Sequence, residues 1–308
     1  MPPEPSRQVR MKKILVLRGG ALGDFIVTLP ALTLLRERWP GAKIELIGNA
    51  TAARLARNRG WLDAVHSQHE ARWSGLFADG PIARDLADWL GEFDLVLNYW
   101  PDADRTLQRR FPLRAGQIYI TAEAMPRQSP AAAHYCEPLR ALGLVAPIHF
   151  TRIQPLPISE RESSRSTPSS AIVIHPGSGS PKKNWPEKNW LELVPRLPVP
   201  VILIAGEAEA PRWATYSRPG VTVLGPTPLE ELVHHFAACR LFVGHDSGLS
   251  HLAAACGAPC VLLFGPTDPA MWAPPAPAVT VLRRGGDLAS IAIDQVGAAM
   301  ASALAARK

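Results

Sequence analysis

Cysteine is scarce in this 308-residue chain, and the four present (Cys136, Cys239, Cys256 and Cys260) are irregularly spaced. None forms a C-x-x-C pair and no His/Cys cluster has metal-ligand spacing, which argues against a zinc ribbon, a dithiol redox motif or a disulfide scaffold. Cys239, Cys256 and Cys260 lie among alanines and branched apolar residues and read as small buried thiols. Long apolar runs are also missing: no stretch approaches the ~20 residues of a membrane-spanning helix. The first ten residues are polar and proline-rich and lead into a strand-like run, not a signal-peptide core, so the chain is expected to be soluble and cytoplasmic. Charged residues make up only 19%, with no dense basic helix and no nucleic-acid motif, which disfavours nucleic acid as a partner.

What charge there is leans one way. The net charge is +6, and residues 1–155 hold 20 Lys and Arg against 15 Asp and Glu, whereas residues 156–308 hold 13 against 12. Scattered arginines usually mark solvated helix faces. A basic first half also suits an anionic substrate or an anionic membrane surface.

Hydrophobic patterning divides the chain into two alternating halves. Residues 13–17, 44–47 and 93–97 are apolar runs of the kind buried on both faces of a parallel sheet. A helix is expected over about 24–39, stopped by Pro40-Gly41. The interval between the second and third strands is expected to be mostly helical, with Trp61, Trp73 and Trp89 in or lining the core. From 147 to 170, Pro and Ser interleaved with Arg and Glu mark a linker. Strands are then expected at 171–174, 199–205, 221–224, 241–244 and 260–264, with a closing amphipathic helix over 287–306. The implied organisation is two domains, 1–155 and 156–308, each a doubly wound parallel α/β sheet, facing across a cleft. Ligands of such sheets bind at the carboxyl ends of the strands, so the loops after strands should carry the chemistry.

Three such loops stand out. Arg18-Gly19-Gly20-Ala21-Leu22-Gly23-Asp24 lacks both the G-x-G-x-x-G spacing and a following acidic strand end, which disfavours NAD. Taken alone, Asp24 reads as a helix N-cap. The second loop runs from His175 through Gly177-Ser178-Gly179-Ser180-Pro181-Lys182-Lys183 to Trp185-Pro186. It offers N–H, O–H and ammonium donors that could cradle a phosphate, without a Walker ending. The third, Gly244-His245-Asp246-Ser247-Gly248-Leu249-Ser250-His251 with the later Gly265-Pro266-Thr267 turn, opens a helix whose N-terminus attracts anions. Asp102-Ala103-Asp104 matches a metal-holding D-x-D pattern, but so short a motif in a polar turn carries little weight. No G-x-S-x-G elbow exists to support acyl transfer.

Together the loops resemble glycosyltransferase family 9, the bacterial heptosyltransferases of lipopolysaccharide core assembly. The stretches that carry the resemblance are ILVLRGGALGDFIVTLPALTLL (14–35), HPGSGSPKKNWPEKNW (175–190) and FVGHDSGLSHLAAACGAPCVLLFGPTDP (242–269). The resemblance implies the GT-B fold, two Rossmann-like domains around a cleft, with the acceptor in the first and the nucleotide-sugar in the second. It implies inverting transfer of a heptose or related sugar from ADP-heptose to a hydroxyl of an anionic glycolipid acceptor, with no metal and no cofactor. Peripheral attachment at the cytoplasmic face of the inner membrane would fit such an acceptor. Asp24 matches the general base, and Lys183, Ser178 and the backbone at Ser247 and Gly248 match the stabilisers of the departing diphosphate. Asp246 and His251 match positions at the nucleotide-sugar end, and Thr227 falls at the adenine contact. Glu209, or Glu207, stands where an acidic ribose ligand is expected, and Arg18 with the turn at Gly20 lies on the acceptor side.

Two departures fall in the acceptor half: Gly19-Gly20-Ala21 replaces a Thr/Ser-rich turn, and Leu97-Asn98-Tyr99 stands where many members carry an acidic residue. Three alternatives remain at this point: the same fold with another nucleotide-sugar donor, a nucleotide-sugar epimerase, or a non-catalytic sugar-binding protein.

Overall fold

Lys13–Arg18, a six-residue run whose last five side chains are buried, forms β1 at the centre of the first sheet in this computed structural model. The structure describes residues 10–146, 150–157, 168–206 and 209–306. β1 pairs in parallel with β2 (Lys43–Gly48) on one side and β4 (Leu95–Asn98) on the other. β3 (Ala64–Ser67) and β5 (Ile118–Thr121) form the edges, giving the order β3-β2-β1-β4-β5. The chain reverses direction across the sheet between β1 and β4, and the carboxyl ends there are Arg18 and Asn98.

The second sheet has six parallel strands: β6 (Ile172–Ile174), β7 (Val201–Ile204), β8 (Val221–Leu224), β9 (Leu241–His245), β10 (Cys260–Phe264) and β11 (Val279–Arg283). Their order is β11-β10-β9-β6-β7-β8, so the switch point lies between β6 and β9. Each sheet has its own core. Leu15, Leu17, Trp73, Leu90, Phe93 and Val96 fill one; Ile172, Trp185, Trp190, Leu203, Val243 and Leu263 fill the other.

The chain separates into two compact units, Met1–Ala21, Thr28–Arg127 and Ala132–Ile148 in one, Leu22–Val27, Gln128–Ala131 and His149–Lys308 in the other. The short helix Leu22–Ile26 thus packs with the second unit although it follows β1 directly. The single helix expected over 24–39 is two helices, Leu22–Ile26 and Leu29–Arg38. Pro30 explains the break: it has no N–H to give the Ile26 carbonyl, but it is well suited to the first turn of a new helix.

The interval expected to be mostly helical contains β3, a short edge strand with partly exposed side chains and no strong apolar pattern. β5 and β11 are edge strands of the same weakly buried kind, and they too escape the sequence reading. The closing helix begins later than expected, at Ile293, because Asp287 caps a separate 3-10 turn, Leu288–Ser290. Trp73 is buried, whereas Trp61 and Trp89 are half-buried. All four cysteines are free and buried, in keeping with the thiol reading. Much of the 147–170 linker lies outside the described residues. No described helix is long and apolar enough to cross a membrane.

Candidate active site

The switch point of the second sheet gathers most of the charged residues singled out from sequence. The loop leaving β6 carries Ser178 and Lys183, and Asp246 follows β9 directly. The Lys183 ammonium lies 2.6 Å from Asp246 Oδ2, and the Thr267 hydroxyl donates to the same oxygen at 2.8 Å. Asp246 is 8% exposed, so this carboxylate is buried and compensated by one cation and one hydroxyl. Ser178 Oγ sits 2.6 Å from Asn184 Oδ1 and 2.7 Å from the Ser180 carbonyl, and it accepts the Ser180 N–H. Its single proton serves one of those acceptors at a time, which folds the loop back on itself.

The helix Gly248–Ala255 starts beside this ion pair. Ser247 is its N-cap, with Oγ accepting from the Ser250 N–H at 3.3 Å, and the Ser250 hydroxyl donates to the His245 carbonyl. Against the start of this helix packs Leu22–Ile26. A methyl group on Gly248 would lie 2.9 Å from Leu22 Cβ and 3.0 Å from the Gly23 nitrogen, so only glycine allows this approach. Asp24 is the third residue of Leu22–Ile26, inside the first turn rather than at the cap. The simple N-cap reading therefore fails. The backbone at Gly23 comes within contact of His251, where an added Cβ would be 3.4 Å from the ring. His251 is buried, and desolvation lowers its pKa; Asp246 and Asp24 oppose that shift, whereas Lys183 adds to it. Asp24, Lys183, Asp246 and His251 thus form one electrostatic cluster within the second unit.

The residues expected to contact the rest of a nucleotide extend along the same end of the sheet. Glu209 precedes the helix Ala210–Trp213 after β7, and its carboxylate lies over the α-carbons of Gly177 and Gly206. It borders a 210 Å³ hollow also lined by Pro176, Asn184, Trp185 and Arg212. Glu207 lies outside the described residues. Thr227, in the turn after β8, donates to the Gly225 carbonyl at 2.9 Å.

The residues expected on the acceptor side belong to the first unit. Arg18 is 5% exposed; its Nε donates to Thr28 Oγ1 at 2.9 Å and its guanidinium stacks 4.2 Å from the Tyr135 ring centre. Gly20 has φ of 100°, a conformation that favours glycine, and its carbonyl accepts from Asn49. Asp102 accepts the Leu107 and Gln108 N–H groups and Asp104 the N–H and hydroxyl of Thr106, so the D-x-D pair caps the helix Thr106–Arg110.

Residues 146–291 match the family model described as glycosyltransferase family 9 (heptosyltransferase). Lipopolysaccharide heptosyltransferase 1 of Salmonella typhimurium is 26% identical, over 84% of this chain and 90% of that protein. A glycosyltransferase of family 9 from Veillonella parvula superposes with a TM-score of 0.75 at 21% identity, covering 97% of this chain and 99% of the other. An Escherichia coli heptosyltransferase solved with ADP-2-deoxy-2-fluoro heptose gives 0.68 at 23% identity, covering 94% and 99%.

The second half of the chain thus resembles glycosyltransferase family 9, and its whole length is similar to lipopolysaccharide heptosyltransferase 1.

The two Rossmann-like sheets of the GT-B class also bring to these loops residues that the sequence did not single out. Thr267 and Asn184 are visible in the motifs as a turn hydroxyl and a loop amide, yet only the fold shows that they hold Asp246 and Ser178. His175 directly follows β6 and His245 ends β9 at the switch point, and burial pushes their pKa values down to about 3 and about 4. No sequence pattern distinguished them from ordinary core histidines.

Proposed function

We propose that this glycosyltransferase moves a heptose, or a closely related sugar, from ADP-heptose to a hydroxyl of a lipopolysaccharide-core or similar surface-glycan acceptor, with inversion and without a metal ion. The order of the candidate residues along the second sheet carries the reading. From β9 through β6 and β7 to β8 come Asp246, then Ser178 and Lys183, then Glu209, then Thr227. Three strand spacings of about 4.8 Å separate the first from the last, roughly 14 Å in all. That row suits an extended nucleotide, with diphosphate at the switch point, ribose at Glu209 and base at Thr227.

In the proposed reaction the Asp24 carboxylate takes the proton of the acceptor hydroxyl while its oxygen bonds to the anomeric carbon. The bond from that carbon to the diphosphate breaks on the opposite face, and ADP leaves. Lys183 stabilises the growing phosphate charge. Its ammonium has three protons, of which Asp246 takes one, so the cation is held in place with donors remaining. Ser178 and the backbone at Ser247 and Gly248 add hydrogen bonds at a helix N-terminus. His251, kept neutral by burial, borders the site without adding charge beside Asp24. Arg18 and Gly20 serve the acceptor, and the basic first half favours an anionic one, at the cytoplasmic face of the inner membrane.

Thermal stabilisation by ADP, UDP, GDP, CDP and NAD, each with and without EDTA, tests this reading. A ligand at about 100 times its dissociation constant adds about 2.7 kcal/mol. ADP should give the largest shift, unchanged by EDTA. A larger shift with UDP or GDP would replace the donor, sensitivity to EDTA would overturn metal independence, and no response would favour a protein that does not use a nucleotide-sugar.

A further inference from the structure

His245, the last residue of β9, is fully buried and directs both ring nitrogens at a single loop. Nδ1 lies 3.1 Å from the Gly177 carbonyl, and Nε2 accepts the Trp185 N–H at 2.8 Å. A carbonyl only accepts and a backbone N–H only donates, so the ring is held as the neutral Nδ1–H tautomer. Burial, which keeps its pKa near 4, agrees with that form. The two partners stand at opposite ends of the segment 177–185, which contains Ser178 and Lys183. The far end is further fixed in the core: the Trp185 indole donates to the Ile291 carbonyl at 2.9 Å and packs edge-on against Trp190, which in turn packs edge-on against His245. Asp246, the partner of Lys183, is the very next residue after the clamp.

We infer that His245 is a positioning residue for nucleotide binding: its imidazole closes the 177–185 loop and so sets Lys183 against Asp246 at the diphosphate position. The inference rests on the reading of this loop as the phosphate site. A neutral donor–acceptor side chain suits the task, since an imidazolium could not accept the Trp185 N–H and would add a cation beside Lys183.

Three variants test it, with ADP affinity by calorimetry, steady-state kinetics and hydrogen exchange of residues 177–185. His245→Phe keeps a ring of similar size and loses both nitrogens; His245→Asn returns one donor and one acceptor; Lys183→Ala is the reference. His245→Phe should weaken ADP at least tenfold, raise KM more than it lowers kcat, and speed exchange across 177–185. His245→Asn should recover a large part of each effect, which simple loss of packing would not. In the double variant with Lys183→Ala, ADP affinity should stay within twofold of Lys183→Ala alone, because the cation being positioned is already gone. The inference is overturned if a folded His245→Phe binds ADP within twofold of wild type, or if the two losses multiply. Should Lys183→Ala itself leave ADP affinity unchanged, the phosphate-loop reading fails. The clamp is then judged by exchange alone, where unchanged protection of 177–185 in His245→Phe sinks it.

Discussion

The two switch points have the same topology and opposite electrostatics. In the second sheet, the side chains of Lys183 and Thr267 converge on Asp246 at the carboxyl ends of β6, β9 and β10, and Asp246, Asp24 and Lys183 act electrostatically on His251. In the first, the polar residues at the ends of β1 and β4 turn inward. Arg18 stacks on Tyr135, Asn98 accepts the Trp100 N–H, and the Tyr99 hydroxyl donates to the Tyr135 carbonyl. Buried charges that face one another are costly unless they serve a ligand or a fold constraint. The second switch point thus holds a compensated buried ion pair, whereas at the first the buried Arg18 is packed against an aromatic ring.

The sharpest way to break this contrast is at Asp24. If it is the general base, Asp24→Ala should lower kcat by about 10²–10⁴-fold, the usual worth of a positioned base. ADP affinity should change little, since Asp24 belongs to the acceptor's chemistry. A variant that retains wild-type turnover would remove Asp24 from the mechanism and leave the cluster as a donor-binding device only.

Acid should separate the two units next. His175 and His245 have folded pKa values of about 3 and about 4 through burial, against about 6.5 in an unfolded chain. Below pH 6.5 the unfolded state binds more protons than the folded one, so stability that is complete above 6.5 is lost as pH falls towards the folded values. By pH 5 the loss is about 2 kcal/mol per histidine. In the first unit, Glu45 is buried on β2 and its pKa is held at about 2, chiefly by the His66 hydrogen bond, against the cost of burial. Its contribution is present above 4.5 and is lost only as pH falls from there towards 2. Denaturant unfolding at pH 7.5 and 5.0, followed by amide exchange in each unit, should show the second unit weakening first. Equal weakening would mean that these histidines are not held neutral.

This contrast also governs what was legible in the sequence. β1, β2, β9 and β10 are buried on both faces and announce themselves as unbroken apolar runs. β3, β5 and β11 are half-exposed edges whose composition alone resembles loop or helix. Lys183 and Asp246 could be singled out because glycines, a cation and a carboxylate recur in compact loops after strands. Their pairing could not, because 63 residues separate them and only the β6–β9 neighbourhood brings them together. Thr267 and His245 were illegible for the same reason: each acts through a partner distant in sequence.

Gly248→Ala perturbs the cluster without touching a charge. The added methyl would press on Leu22 Cβ at 2.9 Å and on the Gly23 backbone at 3.0 Å, forcing Leu22–Ile26 away from the helix Gly248–Ala255. Overpacking of this kind costs about 1–3 kcal/mol. Turnover should fall alongside stability because Asp24 moves with its helix, whereas a stability loss with unchanged kcat at low temperature would detach Asp24 from the chemistry.

The smallest effect is expected at Asp102, where the metal-like D-x-D motif lies. Both carboxylate oxygens accept backbone N–H groups, from Leu107 at 2.8 Å and Gln108 at 2.9 Å, so the side chain acts as a helix cap. Losing a cap costs about 1 kcal/mol. Asp102→Ala should therefore lower the melting temperature slightly, leave kcat and KM within twofold, and show the same response to added Mg²⁺ or EDTA as the unmodified enzyme. A loss of activity restored by excess divalent cation would instead make the motif a metal ligand, and the first unit could then no longer be regarded as a passive scaffold.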